Sequence, residues 1–302
     1  MSERTLRHVA ADYLAISKPR ILLLLLIVAW AAMFVAADGL PSLGAFIAVT
    51  LGGAFSTAAS GAFNNILEKA RDARMARTAN RPVAAGRISI PSALAYAVMM
   101  TMLAFFALWI PGYKVAALLT MGAIAYYVVV YTALLKPTTP QNIVIGGLAG
   151  SFPALIGWAA QTGGLAWPAA APALVLAALV FMWTPAHFWS LALLYKDDYA
   201  AAEYPMMPNV KGEASTRRQI FVYAVATLLT SLVLIATHDA SWVYLVAAVG
   251  LGGLLVARSW SLLVTPNPTA YRGYFFFTIQ YLGFLLIALM VDRVVPLPAL
   301  PL

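Results

Sequence analysis

The sequence predicts an all-α polytopic membrane protein with about nine transmembrane helices and its N-terminus in the cytoplasm, and three observations carry this. Of 302 residues, 63% are hydrophobic and 10% charged, with a mean hydropathy of +0.85; soluble domains carry roughly 25% charged residues. Apolar runs of about 20 residues, the length that crosses hydrocarbon, recur along the chain. The basic residues collect between those runs, and on one side only.

The runs fall near 21–37, 43–63, 92–110, 115–134, 143–161, 168–195, 218–236, 241–258 and 274–295. The first reads as a span rather than a cleaved signal peptide, because it is long, lacks a small-residue cleavage site and is followed at once by further spans. Glu3 and Asp12 argue against a transit peptide in residues 1–20. Seventeen of the 19 Lys and Arg residues fall on the N-terminal side, leaving only Lys114 and Arg293 opposite. That side is therefore expected in the cytoplasm, with residues 1–302 forming one multi-pass domain in a bacterial inner membrane. The net charge of +8 is topology and not a nucleic-acid surface. With no cysteine, disulfides, zinc thiolate sites and Cys nucleophiles are excluded.

Tight turns at Asp38-Gly39, Pro111-Gly112 and Gly163-Gly164 join helices on the outer side, whereas the cytoplasmic connections 64–91 and 196–217 are long. Long loops on a rigid scaffold are where function concentrates. These two hold six of the eleven acids: Glu68, Asp72, Asp197, Asp198, Glu203 and Glu213. Their offset by four helices suggests a parallel repeat, helices 1–4 and 5–8 with helix 9 added, so that both acidic clusters face one cavity.

Asn64, Glu68 and Asp72 are spaced i, i+4, i+8, which puts three oxygen-bearing side chains on one helical face. Such a set suits Mg²⁺, which takes one or two protein carboxylates and completes its shell with water and phosphate oxygens. Lys69, Arg71, Arg74, Arg77 and Arg81 surround it with donors for a diphosphate. The plainer alternative is a basic loop whose two acids merely pair with arginines.

The second cluster, Lys196-Asp197-Asp198, ends span 6. Adjacent helical positions point about 100° apart, so one acid faces the cavity, and Asp198 is preferred. Glu203 falls off that face. His187 lies about two and a half turns below, inside an apolar run, where an ionisable group is a functional candidate by default; a neutral histidine satisfied by a neighbouring helix is the alternative. His8 in the tail and His238 on an outer turn read as solvated.

On these residues the chain resembles the UbiA superfamily of intramembrane prenyltransferases, and within it the heme o synthase branch. The likeness runs from Lys18-Pro19-Arg20 through Asn64-Asn65-Ile66-Leu67-Glu68 and Asp72 to the specific string Met75-Ala76-Arg77-Thr78-Ala79-Asn80-Arg81-Pro82. It continues in Tyr131-Thr132, Leu135-Lys136, Thr139-Pro140-Gln141-Asn142, Ile156-Gly157-Trp158, His187-Phe188-Trp189, Asp197-Asp198-Tyr199 and Pro205-Met206-Met207-Pro208. Two departures stand out. Glu68 replaces the usual middle Asp, and an Asp-Asp-Tyr string stands where the superfamily has a second Asp-x-x-x-Asp.

The resemblance implies transfer of a farnesyl group from farnesyl diphosphate to a vinyl group of heme b, with Mg²⁺ as cofactor and heme a synthase or a terminal oxidase receiving the product. It assigns Asn64, Glu68, Asp72 and Asp198 to metal, and Arg71, Lys136 and Lys196 to diphosphate. Lys18, Arg20, Arg77 and Arg81 are candidates for the heme propionates, Tyr126, Tyr127, Tyr131, Phe188 and Trp189 for the lining of the allylic cation, and His187 for heme iron or a water. Prenylation of an aromatic acceptor is the competing enzyme reading. A secondary transporter is the third, though its polar residues would gather at mid-membrane rather than at helix ends.

Overall fold

The computed structural model describes residues 6–237 and 239–295; Glu3 and His238 lie outside them. Among the described residues nine helices are long and apolar enough to cross a membrane. Spans 1 to 9 are Pro19–Ala37, Leu43–Leu67, Ile90–Trp109, Lys114–Thr138, Asn142–Thr162, Ala171–Leu194, Glu213–Ala236, Trp242–Val264 and Pro268–Val294. Every expected run is matched. The helices exceed the apolar runs at the basic end, because backbone hydrogen bonding continues past hydrocarbon into polar turns such as Glu213–Arg217.

An unanticipated helix, α1 (Leu6–Ile16), precedes span 1 where an irregular tail was expected. Asp12 and Ile16 are its buried residues, and Arg87 Nε reaches Asp12 Oδ1 at 3.0 Å, tying α1 to the loop after span 2. Span 4 is also irregular. Its second half, Tyr126–Leu135, is wound as a π-helix.

Spans 1–4 pack in chain order, as do spans 5–8; span 1 lies against span 5, and span 9 packs on spans 8, 6 and 1 to close the bundle. Lipid offers no hydrophobic drive between helices, so close approach of small residues does the packing. Ala31, Ala32, Ala45, Ala104, Ala116 and Ala117 are fully buried between spans, while Leu23, Ile47, Leu51, Met99 and Phe284 form part of an exposed apolar surface.

The two ends of the bundle are built differently. At the end with few basic residues, Arg293 Nη1 meets Asp38 Oδ1 at 3.0 Å, and Ser42 N–H donates to Gln161 Oε1 at 3.2 Å. There the buried Asp292 accepts from the Ser241 hydroxyl and the backbone N–H groups of Val243 and Tyr244, capping the start of span 8. Asp38 and Gly163 take positive φ, as the turn residues at this end require. The opposite end carries Lys18, the loop after span 2, Lys136 and the segment after span 6.

Span 1 and span 5 meet at Gly157, where a Cβ would lie 2.1 Å from the Ala29 carbonyl oxygen. Gly157→Ala is therefore expected to lower stability by about 1–3 kcal/mol. Gly150→Ala, whose Cβ would meet Val180 Cγ1 at 3.5 Å, should be tolerated. Thermal unfolding in detergent compares the two; equal midpoints would refute the close contact.

Candidate active site

Span 2 delivers Asn64 on its last turns and ends at Leu67; Glu68 joins it to the short helix Lys69–Asp72. The backbone bonds Glu68 N–H to Asn64 O at 2.9 Å and Asp72 N–H to Glu68 O at 2.7 Å keep the i, i+4, i+8 face across the junction. All three side chains are buried, with 2%, 3% and 2% of their surface exposed. Charges so placed need partners, since desolvation costs several kcal/mol per ion.

Three cations supply them. Lys136 Nζ forms an ion pair with Glu68 Oε1. Arg81 Nη1 straddles both Asp72 oxygens at 2.9 and 2.8 Å and lies 3.6 Å from Glu68 Oε2. Lys18 Nζ donates to Asn64 Oδ1 at 2.6 Å and to the Tyr127 hydroxyl at 3.2 Å. Burial pushes the Lys18 ammonium down to about 8, with Arg81 adding to the effect. Burial alone would raise the Glu68 carboxyl, but Lys136 and Lys18 hold it below its usual value.

Each cation reaches the cluster by an unusual backbone device. Lys18 takes φ 53, ψ 52 immediately before Pro19, a left-handed conformation for a non-glycine residue. The turn is seated on Gly61 of span 2, where a Cβ would lie 2.3 Å from the Ile16 carbonyl oxygen. Arg81 returns to Asp72 through successive turns, among them Thr78 N–H to Met75 O at 3.0 Å and Arg81 N–H to Thr78 O at 2.9 Å; the Thr78 hydroxyl donates to Asp72 O at 3.0 Å. The expected loop 64–91 is thus a tightly folded strap.

Lys136 depends on the π-helix. Nine residues separate it from Tyr127, about two and a half turns of an α-helix, which would put the two side chains on opposite faces. The i→i+5 winding takes roughly two turns for the same distance, so both face the cluster.

The two long connections meet as expected. Asp198 Oδ2 accepts from Arg77 N–H at 3.4 Å, Arg74 pairs with the exposed Glu203 at 3.1 Å, and Met75, Ala192, Tyr199, Ala202, Tyr204 and Met206 pack together. Asp198 is half-buried and Asp197 exposed.

Other expected residues are dispersed. Arg71 stacks over Tyr204 at 4.7 Å, beside Lys136 at 4.8 Å from the same ring. Arg77 covers Tyr195 and Tyr199 at 5.1 and 5.7 Å. Lys196 turns to Glu213 at 3.0 Å, and Arg20 is exposed. Tyr127 and Tyr131 border the cluster. Tyr126 instead bonds Ile145 O at 2.8 Å, and Trp189 packs against Tyr223. The aromatic residues that the sequence reading missed are Tyr199 and Tyr204, for which one acidic string and one proline were the only local signals. His187 lies deeper, stacked on Trp183 and Phe275 and within 2.8 Å of Thr278 Oγ1.

The donor set fits Mg²⁺ in one manner. Two carboxylates and an amide oxygen are what a hard cation takes from protein when phosphate supplies the rest. Among the described residues no three His, Asp or Glu side chains come together at metal-binding distance. Asp198 does not join Glu68 and Asp72 in this structure: it sits across the strap at the Arg77 amide, and Arg81 lies beside Asp72.

Removing one partner of a buried pair costs about 3–5 kcal/mol, because the other charge is stranded. Lys136→Met should therefore be strongly destabilised. The double variant Glu68→Gln/Lys136→Met should recover most of the loss in thermal unfolding, whereas additive losses would mean that the two charges are not coupled.

Residues 24–281 match the UbiA prenyltransferase family. A protoheme IX farnesyltransferase of Trichormus variabilis is 39% identical over 288 residues, covering 94% of this chain and 89% of that protein. One from Thermus thermophilus is 43% identical over 287 residues, but the match covers only 46% of its length, so the chain spans about half of that relative. A solved UbiA homolog from Aeropyrum pernix K1 has a TM-score of 0.72 at 16% identity, over 90% of this chain and 96% of its own. Another from Archaeoglobus fulgidus, bound to GPP and Mg²⁺, has a TM-score of 0.61 at 15% identity, over 93% and 99%. The family match covers most of the spans and all of the acidic cluster, and with the shared helical architecture it establishes that the chain belongs to the UbiA prenyltransferase family.

Proposed function

We propose that the chain transfers a farnesyl group from farnesyl diphosphate to a vinyl group of heme b, with addition of water, giving heme o and diphosphate in a Mg²⁺-dependent reaction. The observation that carries the transferase half is the buried set Glu68 and Asp72, matched by Lys18, Arg81 and Lys136 at one end of an apolar bundle. The acceptor half draws on the full-length likeness to proteins named protoheme IX farnesyltransferase. The positive-inside bias supports a site opening to the cytoplasm, in a bacterial inner membrane.

The reaction breaks the allylic C–O bond and leaves the electron pair on diphosphate. Bound Mg²⁺ supplies charge stabilisation at the leaving oxygens. Asn64, Glu68 and Asp72 are the residues to hold it. Lys136 and Arg81, which neutralise the carboxylates in this structure, are then released to donate to phosphate oxygens, with Lys18 and Arg71 beside them. Such donors stabilise charge that grows in the transition state, which is where binding accelerates a reaction.

The allylic cation needs faces that are electron-rich and dry. Tyr127, Tyr131 and Tyr204 border the cations already and present such faces. Attack by the vinyl carbon forms the new C–C bond and moves positive charge to the carbon next to the porphyrin. Water adds there and loses a proton, so the product gains one farnesyl group and one hydroxyl. His187, within span 6, is the candidate to meet the heme iron or that water. The exposed Arg20 and Arg77 are the cations offered to the anionic propionates. Delivery of the product to heme a synthase or a terminal oxidase fits this chemistry.

The test is a reaction in detergent or vesicles with heme b, farnesyl diphosphate and Mg²⁺, with the extracted heme analysed by chromatography and mass. A heme heavier by one farnesyl group and one hydroxyl, absent with EDTA and reduced at least a hundredfold in Asp72→Ala, is expected. Prenylation of a hydroxybenzoate instead would overturn the acceptor, and undiminished turnover in EDTA would overturn the metal.

A further inference from the structure

His187 lies seven residues before the end of span 6, in a stretch where an ionisable ring needs partners. Its ring is sandwiched between Trp183, one turn earlier, at 4.3 Å and 11°, and Phe275 of span 9 at 4.6 Å and 22°. Nδ1 lies 2.8 Å from Thr278 Oγ1, and Trp183 Nε1–H donates to the Thr278 carbonyl at 2.8 Å. Trp183 and His187, at i and i+4 on one face of span 6, thus clasp a single residue of span 9.

The protons on this clasp can be counted. Thr278 has one hydroxyl proton, and Oγ1 lies 2.6 Å from the Phe275 carbonyl oxygen as well as 2.8 Å from His187 Nδ1. Were that proton given to Nδ1, two oxygens would face each other at 2.6 Å with none between them. With the hydroxyl donating to Phe275 O, its lone pair accepts from Nδ1–H, and both contacts become hydrogen bonds. We infer that Thr278 is a positioning residue that fixes His187 as the neutral Nδ1–H tautomer, leaving the Nε2 lone pair as the acceptor that the ring offers. Both ring faces are covered and Nδ1 is engaged, so chemistry at this imidazole is confined to Nε2.

A histidine fixed by a hydrogen bond at one nitrogen is a stronger and better-oriented ligand or base at the other. On the heme reading above, the Nε2 lone pair suits either the iron of the acceptor or a proton of the attacking water; the tautomer itself does not depend on that reading.

The chain has three histidines, so histidine-selective ¹⁵N labelling gives a simple spectrum, and the signals lost in His187→Asn assign this ring. Protonated and bare ring nitrogens have distinct shifts. The full chain in detergent should show His187 with Nδ1 protonated and Nε2 bare, unchanged in Thr278→Ser. Thr278→Val keeps the shape without the acceptor and should give a mixture of tautomers or the opposite one. An Nε2–H ring in the unaltered protein, or a Thr278→Val spectrum identical to it, would overturn the inference. In turnover with heme b, Thr278→Val should lower kcat about 10–100-fold and leave KM for farnesyl diphosphate unchanged, with Thr278→Ser restoring the rate. A wild-type kcat in Thr278→Val would overturn the positioning role. Absence of any heme product with the Nδ1–H tautomer intact would overturn the acceptor assignment and leave the role of Thr278 in fixing the tautomer standing.

Discussion

Two carboxylates buried at the end of an apolar bundle impose most of what is unusual in this fold. Glu68 and Asp72 cannot remain ionised there unaccompanied, and regular helices alone do not bring Lys136 and Arg81 to them. The left-handed Lys18, the strap that carries Arg81 back to Asp72 and the π-wound half of span 4 all serve the same cluster. Local backbone strain of this kind persists only where the surroundings over-determine it. Here they do so through Gly61, Tyr127 and the packed cluster around Met75 and Tyr199.

The opposite end of the bundle gives the contrast. Asp292 is as buried as the site acids, yet its partners are a serine hydroxyl and the first backbone N–H groups of span 8, groups that the helix must satisfy in any case. That carboxylate holds spans 8 and 9 together and, among the described residues, pairs with no cation. The site carboxylates are held instead by the charged side chains of Lys136 and Arg81. Burial alone therefore does not separate a functional acid from a structural one; the nature of its partners does.

The sequence made the nine spans legible because the apolar runs are long and the basic asymmetry is large. It made the shared face of Asn64, Glu68 and Asp72 legible because helical hydrogen bonding carries that spacing across the junction between span 2 and the short helix after it. Winding alone did not place Lys136, which came only through the family resemblance: in an α-helix it would face away from Tyr127. Tyr199 and Tyr204 enter through the meeting of two loops, and Thr278 through a crossing of spans 6 and 9. No local pattern encodes such contacts. Helix α1 was missed because eleven residues with an arginine, a histidine and an aspartate look like a tail until Ile16 and Asp12 are seen buried.

The charge count of the cluster bears on how a substrate would enter it. Three buried or half-buried cations, Lys18, Arg81 and Lys136, face two carboxylates, so the resting site carries an excess of positive charge. A divalent ion arriving alone would add to that excess and find its ligands already paired. A diphosphate arriving alone would find the cations but would have to compete with Glu68 and Asp72 for them. Were the two to enter together, the anion would find the cations and the ion the carboxylates, and every pair broken would be replaced by one of the same sign pattern. Partner exchange of this kind lets a membrane protein keep buried charges satisfied in both states, with the desolvation already met during folding rather than at each turnover. On the reading proposed above, such an exchange would also account for cations placed on the carboxylates themselves, where they hold the oxygens in position.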